Sequence, residues 1–357
     1  MTAKLGNSFS QSDPSSHIVD GSSLACLRDY RAGRESSYDR TGANADWIVI
    51  PPGTAGKLGE IEGPGMITHI WIPFGTTGDR VRREVLRIYW DGEREPSVEV
   101  PVQDFFGLAL AEQVNNHSAL ISAAPWNGLN VYFPMPFARS ARITMNNDDK
   151  KENLHIYCHI DYVKFANAVA GVGNFHAQYR QHVAGTSSNG DDSEHLIFEA
   201  EGRGHLAGLS RGIVMGSRSE IYNAREYLYL DAGDPLVDIS FRPDLRISPD
   251  DLASVLPYHF EFEGKSEAVL GVSPTGRYQS YRWFVDAPPP FQQRARASIK
   301  VAGGKSLGCD LYTVAYWYQS EPHKDFPKLP TALDRIPRSL AANHSAGLAG
   351  DSAPITV

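Results

Sequence analysis

The stretch LHIYCHIDYVKF, residues 154–165, indicates the fold class most directly. Apolar and polar residues alternate along it, which is typical of a β-strand that buries one of its two faces. Similar strand-like runs recur through both halves of the chain, in residues 66–74, 84–92, 97–102, 141–147, 195–202, 226–233, 236–241, 258–264, 277–285, 296–303 and 312–319. About a dozen such runs without regularly alternating helices predict an all-β protein of the sandwich or jelly-roll class.

The composition is that of an ordinary globular protein, with 41% hydrophobic and 21% charged residues among 357. That length fits two domains or one large all-β unit. The 32 glycines and 23 prolines indicate many turns. The net charge of −8 argues against a nucleic-acid-binding protein, because such a protein needs a basic surface to neutralise phosphates.

Cysteine content and hydropathy bear on the cellular compartment. Three cysteines are too few for a disulfide framework, and no Cys-x-x-Cys pair indicates zinc. The N-terminal residues lack the apolar core of a signal peptide, and no stretch approaches the roughly 18 apolar residues of a membrane span. We therefore expect a cytoplasmic protein that binds neither membrane nor nucleic acid.

Segments rich in Ser, Gly and Asp divide the chain. GTSSNGDDSE at residues 185–194 lies near the middle, and both ends contain small residues that cannot build a core. One short helix is predicted around Leu24–Ala32. The predicted units are a flexible N-terminal arm over 1–23, a first jelly roll over 24–165, a linker over 166–194, a second jelly roll over 195–328 and a C-terminal tail over 329–357.

A repeated hairpin pattern supports two similar halves. Tyr89–Gly92 (YWDG) is followed by Pro96, and Tyr229–Ala232 (YLDA) is followed by Pro235. The aspartates of the two patterns are 140 residues apart and the prolines 139. Matching turns at nearly equal spacing predict two similar β-units, although short hairpin patterns also match by chance.

The block Ser36–Trp47 (SSYDRTGANADW) is a dense row of short polar side chains outside the predicted strands. Carboxylates and amides bind paired sugar hydroxyls, and an indole ring covers the C–H face of a sugar. Asp39, Asn44, Asp46 and Trp47 are therefore candidate sugar-binding residues. The same residue types also form Asx-turns that bind their own backbone, and the sequence leaves both interpretations open.

Two of the predicted strands place polar and aromatic residues on one face. His69 and Trp71 share a face of the run 66–74, either in a pocket or in a buried aromatic ladder. His159 and Asp161 likewise share a face, where they can reach a metal or a sugar hydroxyl or form a hydrogen-bonded pair. We take His69 and Trp71 as candidate substrate-binding residues, and we expect no bound metal and no cofactor.

The blocks Ser36–Trp47 and Gly63–Trp71 (GPGMITHIW) and five further motifs together resemble glycoside hydrolase family 172, a family of double jelly-roll furanosidases. The further motifs are Tyr89–Gly92, Pro96–Pro101, Asp104–Gly107, Pro134–Phe137 and Ala315–His323. The resemblance runs from about Leu24 to Pro327. It implies a double jelly roll, assembly as a homotrimer or a multiple of trimers, and retaining hydrolysis or transfer of furanosides. The same architecture also resembles viral capsid subunits.

The chain departs from the family pattern at the catalytic carboxylates. Members carry Gly-Glu-Gly-Asp before a strand, with a Glu that resembles a nucleophile, and then Gly-Thr-Glu-Asp-Tyr, with a Glu that resembles a general acid/base. Counting back from Asp231 places Asn223 at the nucleophile position, with Glu226 three residues later. Counting forward places Pro243 at the acid/base position, and an insertion would align Glu267 there instead.

Retaining hydrolysis needs two carboxyl groups about 5–5.5 Å apart, and asparagine cannot form the glycosyl-enzyme. Glu226 as nucleophile and Glu267 as acid/base are the predicted catalytic pair, with Tyr278 and Arg282 as further substrate-binding candidates. The resemblance therefore implies a retaining hydrolase or transferase for furanose-containing oligosaccharides, of the α-D-arabinofuranoside or α-D-fructofuranoside type. The alternatives are a carbohydrate-binding protein without catalysis and a structural capsid-like assembly protein.

Overall fold

The computed structural model describes residues 27–73, 82–111, 115–124, 128–186, 192–215, 221–238, 258–259, 263–269 and 277–337. Almost all regular structure in these ranges is β, apart from 3₁₀ turns and one helical turn, α1 (Val102–Phe105). Within the same ranges, no helix has the length and apolar character needed to cross a membrane.

The first half of the chain forms two facing sheets. Its strands are β1 (Arg31–Ser36), β2 (Ile48–Ile50), β3 (Ala55–Glu62), β4 (Gly65–Ile72), β5 (Glu84–Trp90), β6 (Val98–Pro101), β7 (Asn116–His117), β8 (Ile121–Ala124), β9 (Gly128–Val131), β10 (Met135–Phe137), β11 (Ser140–Asn147), β12 (Leu154–Ile156) and β13 (His159–Lys164). As described, a seven-stranded sheet has the order β1-β13-β4-β9-β8-β7, with β10 paired to β4. Strands β6, β5, β11 and β3 belong to the opposite sheet. Buried side chains such as Ile70, Ile88 and Phe133 fill the first sandwich.

The second half builds a second sandwich. Its strands are β14 (Asn174–His182), β15 (Glu194–Glu201), β16 (Gly204–Met215), β17 (Ala224–Leu230), β18 (Leu236–Asp238), β19 (Tyr258–His259), β20 (Glu263–Val269), β21 (Arg277–Trp283), β22 (Pro290–Phe291), β23 (Arg294–Val301) and β24 (Cys309–Gln319). The sheet β15-β23-β17-β18 packs on β16 and β24 through a separate core that includes Phe198, Ile299 and Trp317.

One long sheet joins the two sandwiches. Its order is β19-β20-β21-β16-β24-β14-β6-β5-β11-β3, so β14 connects second-half strands to first-half strands. Strand β24 is buried on both faces: Tyr312 and Tyr316 belong to the first core, whereas Leu311 and Ala315 belong to the second. A strand covered on both sides is expected to be mostly apolar, as β24 is from Val314 to Tyr318. The chain is therefore an all-β double jelly roll, as predicted.

The repeated hairpin pattern corresponds to a repeated turn. Asp91 follows β5 and its carboxylate accepts hydrogen bonds from the backbone N–H groups of Arg139 and Ser140, just before and at the start of β11. Asp231 follows β17 and accepts bonds in the same way from Gln293 and Arg294, where β23 begins. Both aspartates have a positive φ, 55° and 52°. Each sandwich therefore carries the same aspartate-centred clasp between two paired strands, which supports the prediction of two similar units.

The helix predicted around Leu24–Ala32 is wrong over the residues that the structure describes. Residues 27–30 are irregular, and Arg31–Ser36 forms β1 along the whole of β13. Backbone pairing with β13 outweighs the helix propensity of so short a segment, because isolated helices of this length are unstable in water.

The predicted domain boundaries stay predictions. All of the proposed arm, residues 1–23, and residues 338–357 of the proposed tail lie outside the described residues. The predicted linker 166–194 contains β14, which pairs with β24 along its full length and with β6 at two positions.

Candidate functional site

The loop after β1 uses its polar side chains to fold on itself. The Asp39 carboxylate accepts hydrogen bonds from the Thr41 hydroxyl, at 2.7 Å, and from the backbone N–H groups of Thr41 and Ala45. These bonds, the one from the Thr41 hydroxyl above all, lower the pKa of Asp39. Asp46 accepts a hydrogen bond from the Asp39 backbone N–H at 2.7 Å, and Asn44 has a positive φ of 61°. Asp39 and Asp46 thus hold the loop in one conformation, as Asx-turns do.

Trp47 ends this loop on the surface. Its indole ring is 39% exposed and lies against His155, at 6.2 Å between centroids, and Tyr157, at 6.1 Å. An exposed aromatic group of this kind offers a flat face to a sugar ring.

A row of polar side chains crosses the outer face of the seven-stranded sheet. Asp161 on β13 lies opposite Arg34 on β1 and opposite His69 on β4. The Arg34 guanidinium donates two hydrogen bonds to the Asp161 carboxylate. His69 Nδ1 lies 3.0 Å from Asp161 Oδ2, and His69 Nε2 lies 3.0 Å from the side-chain oxygen of Asn130 on β9. Register in the sheet therefore brings together four residues that are distant in sequence.

Aromatic rings stand beside this row. His69 stacks on Tyr132 with centroids 4.7 Å apart, and Trp71 lies 4.9 Å from His159. Gly128 allows Trp71 to sit against the backbone of β9, because a Cβ at Gly128 would lie 2.3 Å from the indole nitrogen. We call the face formed by Arg34, His69, Trp71, His159 and Asp161 the polar face.

Charge on the polar face is set by its neighbours. Burial opposes ionisation of Asp161, but the hydrogen bonds from Arg34 and His69 outweigh it and lower the pKa of Asp161. Burial and the nearby Arg34 cation lower the pKa of His159. The face therefore offers an ionised carboxylate and a neutral imidazole at neutral pH, which are groups that bind hydroxyls.

Glu226, the predicted nucleophile, lies inside the second sandwich. Both of its carboxylate oxygens accept hydrogen bonds from Arg211 on β16, at 2.7 and 2.8 Å. The two side chains are 5% and 3% exposed. A nucleophile must reach an anomeric carbon, so this ion pair would have to open before Glu226 can act in catalysis. The geometry that the structure describes is that of a structural ion pair.

Of the other second-half candidates, Glu267 and Tyr278 are placed only through their strands, whereas the side chain of Arg282 is described. Glu267 lies on β20 opposite Gln279, and Tyr278 lies on β21 opposite Ile213. The side chains of Glu267 and Tyr278 lie outside the described part of the structure. The guanidinium of Arg282 lies 5.2 Å from the Phe284 ring. The role of Glu267 as acid/base stays a prediction.

A cluster of two histidines and two glutamates was not predicted from the sequence. His176 belongs to β14, Glu321 and His323 follow β24, and Glu93 lies in the turn after β5. The Glu321 carboxylate has one oxygen 2.9 Å from His176 Nε2 and the other 2.7 Å from His323 Nδ1. His323 Nδ1 also lies 3.6 Å from a Glu93 oxygen. We call these four residues the His-Glu cluster.

The two glutamates of the His-Glu cluster differ in protonation. Burial, with the negative charge of Glu321 beside it, raises the pKa of Glu93 to about 7. Burial also disfavours the charge on Glu321, but the adjoining His176 and His323 rings outweigh this effect and lower the pKa of Glu321.

A cavity between the strands does not contain the predicted site. It has a volume of about 550 Å³ and is lined mainly by apolar residues, among them Met66, Phe133 and Phe284. None of the candidate sugar-binding residues lines it. A cavity with so few polar groups suits an apolar ligand better than a sugar.

Two sandwiches that share one sheet define the chain as a double jelly-roll protein. Residues 28–183 match the model of the first β-sandwich domain of glycoside hydrolase family 172. The match confirms, over these residues, the resemblance to glycoside hydrolase family 172 found in the sequence. It includes the polar face and ends just after β14, before the predicted catalytic glutamates.

Solved structures with similar architecture include viral capsid proteins. The major capsid protein P2 from bacteriophage PM2 is 8% identical, with a TM-score of 0.43, and the similarity covers 83% of this chain and 100% of that chain. The STIV MCP is 11% identical, with a TM-score of 0.39, over 81% of this chain and 97% of that chain. No curated protein matches the chain.

Proposed function

We propose that this protein is a retaining glycoside hydrolase or transferase that acts on furanose-containing oligosaccharides, of the α-D-arabinofuranoside or α-D-fructofuranoside type. The match of residues 28–183 to a domain of glycoside hydrolase family 172 supports glycoside hydrolase chemistry in general. The observation that carries the proposal is the polar face, because a charged carboxylate, two imidazoles and an indole ring lie together on one open surface of the matched domain.

The polar face has the groups that sugar binding requires. Asp161 accepts hydrogen bonds from hydroxyl groups, and the hydrogen bonds from Arg34 and His69 fix its orientation. Trp71 and the exposed Trp47 offer apolar ring surface to the C–H groups of a sugar. A flat furanose ring fits such an arrangement of one polar edge and one apolar face.

The catalytic step needs a nucleophile that displaces the leaving alcohol and an acid that protonates it. Water or an acceptor sugar then releases the glycosyl group with retention. Glu226 and Glu267 remain the proposed catalytic pair, and Tyr278 and Arg282 the further candidates for substrate binding. This role of Glu226 requires that its ion pair with Arg211 opens during the reaction. One observation favours a second candidate function, a carbohydrate-binding protein without hydrolysis: the Glu226 carboxylate is fully engaged by Arg211.

A panel of 4-nitrophenyl furanosides and pyranosides tests both functions with one purified protein. Nitrophenolate release measures hydrolysis, and intrinsic tryptophan fluorescence measures binding near Trp71 and Trp47. We expect His69→Ala and Asp161→Asn to weaken the response to furanosides at least tenfold. Glu60→Gln is a matched control, because Glu60 is an exposed, ion-paired carboxylate on β3 of the other sheet.

The outcomes separate the candidates. Furanoside hydrolysis that falls in both polar-face variants and not in the control supports the proposed enzyme. A saturable fluorescence change without hydrolysis supports the binding protein. If neither signal responds to any furanoside, both candidates are refuted.

The proposed enzyme is a homotrimer or a multiple of trimers and acts in the cytoplasm. The family resemblance supports the trimer, and the sequence composition supports the location. Light scattering at micromolar concentration tests the first point, since a monomer mass of 39.3 kDa would contradict it.

A further inference from the structure

The His-Glu cluster brings together four side chains from three separate parts of the fold. Potential ligand atoms of His176, Glu321 and His323 all lie within 4.8 Å of one another. Glu93 approaches the same point, with an oxygen 3.6 Å from His323 Nδ1. Ligand atoms around one tetrahedral cation are spaced about 3.3 Å apart for bonds of about 2.0–2.1 Å, so small adjustments would bring these atoms into coordination.

The orientation of the His176 ring makes its Nε2 atom an electron-pair donor. The His176 Nδ1–H donates a hydrogen bond to the backbone oxygen of Asn174, at 2.9 Å. In the neutral ring the other nitrogen, Nε2, then carries a lone pair. Glu321 Oε1 lies 2.9 Å from this Nε2, off the line of a hydrogen bond. Two electron-rich atoms at that distance need a positive charge between or beside them.

Other polar atoms of the cluster are buried without hydrogen bonds. Glu93 Oε2 and His323 Nε2 are both buried and make none among the described residues. Buried polar atoms without partners are rare in folded proteins, and an ion is one accepted explanation. His176 is fully buried, and the side chains of His323 and Glu321 are 5% and 14% exposed.

Two carboxyl groups and two imidazoles meet in the cluster. In the described ranges, the imidazoles of His176 and His323 are the only groups within ion-pair distance of Glu93 and Glu321 that can carry a positive charge. Burying two carboxylates together is costly unless a cation neutralises them. A divalent ion would neutralise both while leaving the two rings uncharged.

We propose that Glu93, His176, Glu321 and His323 form a closed binding site for a divalent transition-metal ion of the Zn²⁺ type. Two imidazole nitrogens and two carboxylate oxygens match the tetrahedral donor sets of zinc, whereas Mg²⁺ and Ca²⁺ prefer oxygen alone. The sequence analysis expected no metal, and the proposal does not depend on the proposed enzymatic function.

Surrounding residues hold the proposed ligands in place. Ser97 donates a hydrogen bond to Glu321 at 3.1 Å, and the Asn174 carbonyl fixes the His176 ring. The Trp317 indole stacks on His176 with centroids 5.1 Å apart. Outer partners of this kind orient the ligands of natural metal sites. The ion would tie β14, the turn after β5 and the segment after β24 to one another, at the point where the two sandwiches share a sheet.

Metal binding is measured on the full-length protein after chelator treatment and gel filtration. We expect one Zn²⁺ per chain by equilibrium dialysis and elemental analysis, and a rise in melting temperature with Zn²⁺ that Mg²⁺ does not reproduce. Co²⁺ should give the intense visible absorption of a tetrahedral site. Glu321→Gln and His323→Gln should each weaken Zn²⁺ binding about a hundredfold or more. His155→Gln is the control, since His155 is an exposed histidine outside the cluster.

A further variant identifies the site even if the two glutamine variants fold poorly. His323→Cys keeps a ligand at this position and should add a sulfur-to-metal charge-transfer band to the Co²⁺ spectrum. The absence of saturable Zn²⁺ binding by the parent protein would overturn the proposal. So would Zn²⁺ binding that survives unchanged in Glu321→Gln and is lost in His155→Gln, or a Co²⁺ spectrum of His323→Cys without the new band.

Discussion

Glu226→Gln is the substitution that separates a structural from a catalytic role. The change keeps the shape of the side chain and removes its charge. Gln has one oxygen to accept a hydrogen bond from Arg211, and its NH₂ group would face a guanidinium N–H that can only donate. The guanidinium of Arg211 loses its carboxylate counterion in an interior where the two side chains are 3% and 5% exposed.

The size of the effect follows from this burial. Removing one partner of a buried, hydrogen-bonded ion pair costs about 3–5 kcal/mol, whereas an exposed pair contributes about 0–1 kcal/mol. A domain of 150–250 residues loses about 2–4 °C of melting temperature per kcal/mol. We therefore expect Glu226→Gln to lower the melting temperature by about 6–20 °C. The double variant Arg211→Leu/Glu226→Leu should recover much of the loss, because it leaves no buried charge.

Urea unfolding and calorimetry measure the stability, and furanoside turnover is measured below the melting temperature of the variant. The control is Glu60→Gln, whose partner Lys57 is 62% exposed, and it should change the free energy of unfolding by about 1 kcal/mol or less. If Glu226→Gln unfolds like the parent protein while turnover falls about a thousandfold, the structural assignment is refuted and Glu226 is the nucleophile.

Three other substitutions test the fold and the polar face. Asp104→Asn should destabilise the protein by about 3–5 kcal/mol in urea unfolding, because Asp104 and Arg82 form an ion pair with both side chains at 0% exposure; a change below about 1 kcal/mol would contradict this. Gly128→Ala should displace the Trp71 ring, since its Cβ would lie 2.3 Å from the indole nitrogen and Gly128 has a φ of 99°, and an unchanged fluorescence spectrum would count against it. The N–H of Lys151 and the Arg83 guanidinium lower the pKa of Asp149 to about 2; its stabilising contribution is therefore present above the unfolded pKa of about 3.9 and is lost as pH falls toward 2. Parent and Asp149→Asn should thus differ less in stability at pH 2 than at pH 5, and a gap independent of pH would disprove the linkage.

The fold class was predictable because each strand and each turn has a characteristic residue pattern within a short stretch of sequence. The YWDG and YLDA turns carry their own aspartates, and each aspartate binds the turn of the strand that pairs beside it. The shared long sheet was not predictable in the same way. The sequence of β24 indicates only that both faces of the strand are apolar. It does not indicate that Tyr316 packs in the core of one sandwich and Ala315 in the core of the other.

The contacts of the candidate site residues differ in the same way: those within one loop can be predicted from the sequence, and those between distant strands cannot. Asp39 and Asp46 lie within one loop, so their types and spacing made an Asx-turn one of the two interpretations that the sequence allowed, and the structure has these bonds. The partners of His69, in contrast, come from β9 and β13, and only the register of three strands brings Asn130 and Asp161 to its two nitrogens.

The His-Glu cluster is the extreme case, because its members share no short motif. Sequence rules for metal sites depend on ligands a few residues apart on one helix or one hairpin, as in Cys-x-x-Cys. Here only Glu321 and His323 are close in sequence, and His176 reaches them because Asn174 pairs with Gln319 in the sheet. Glu93 lies in the turn after β5, and this turn is held to the start of β11 by the hydrogen bond from the Ser140 N–H to Asp91. The same repeated aspartate turn that reveals the fold in the sequence therefore also positions a ligand of the proposed metal site, and no pattern of ligand spacing would show it.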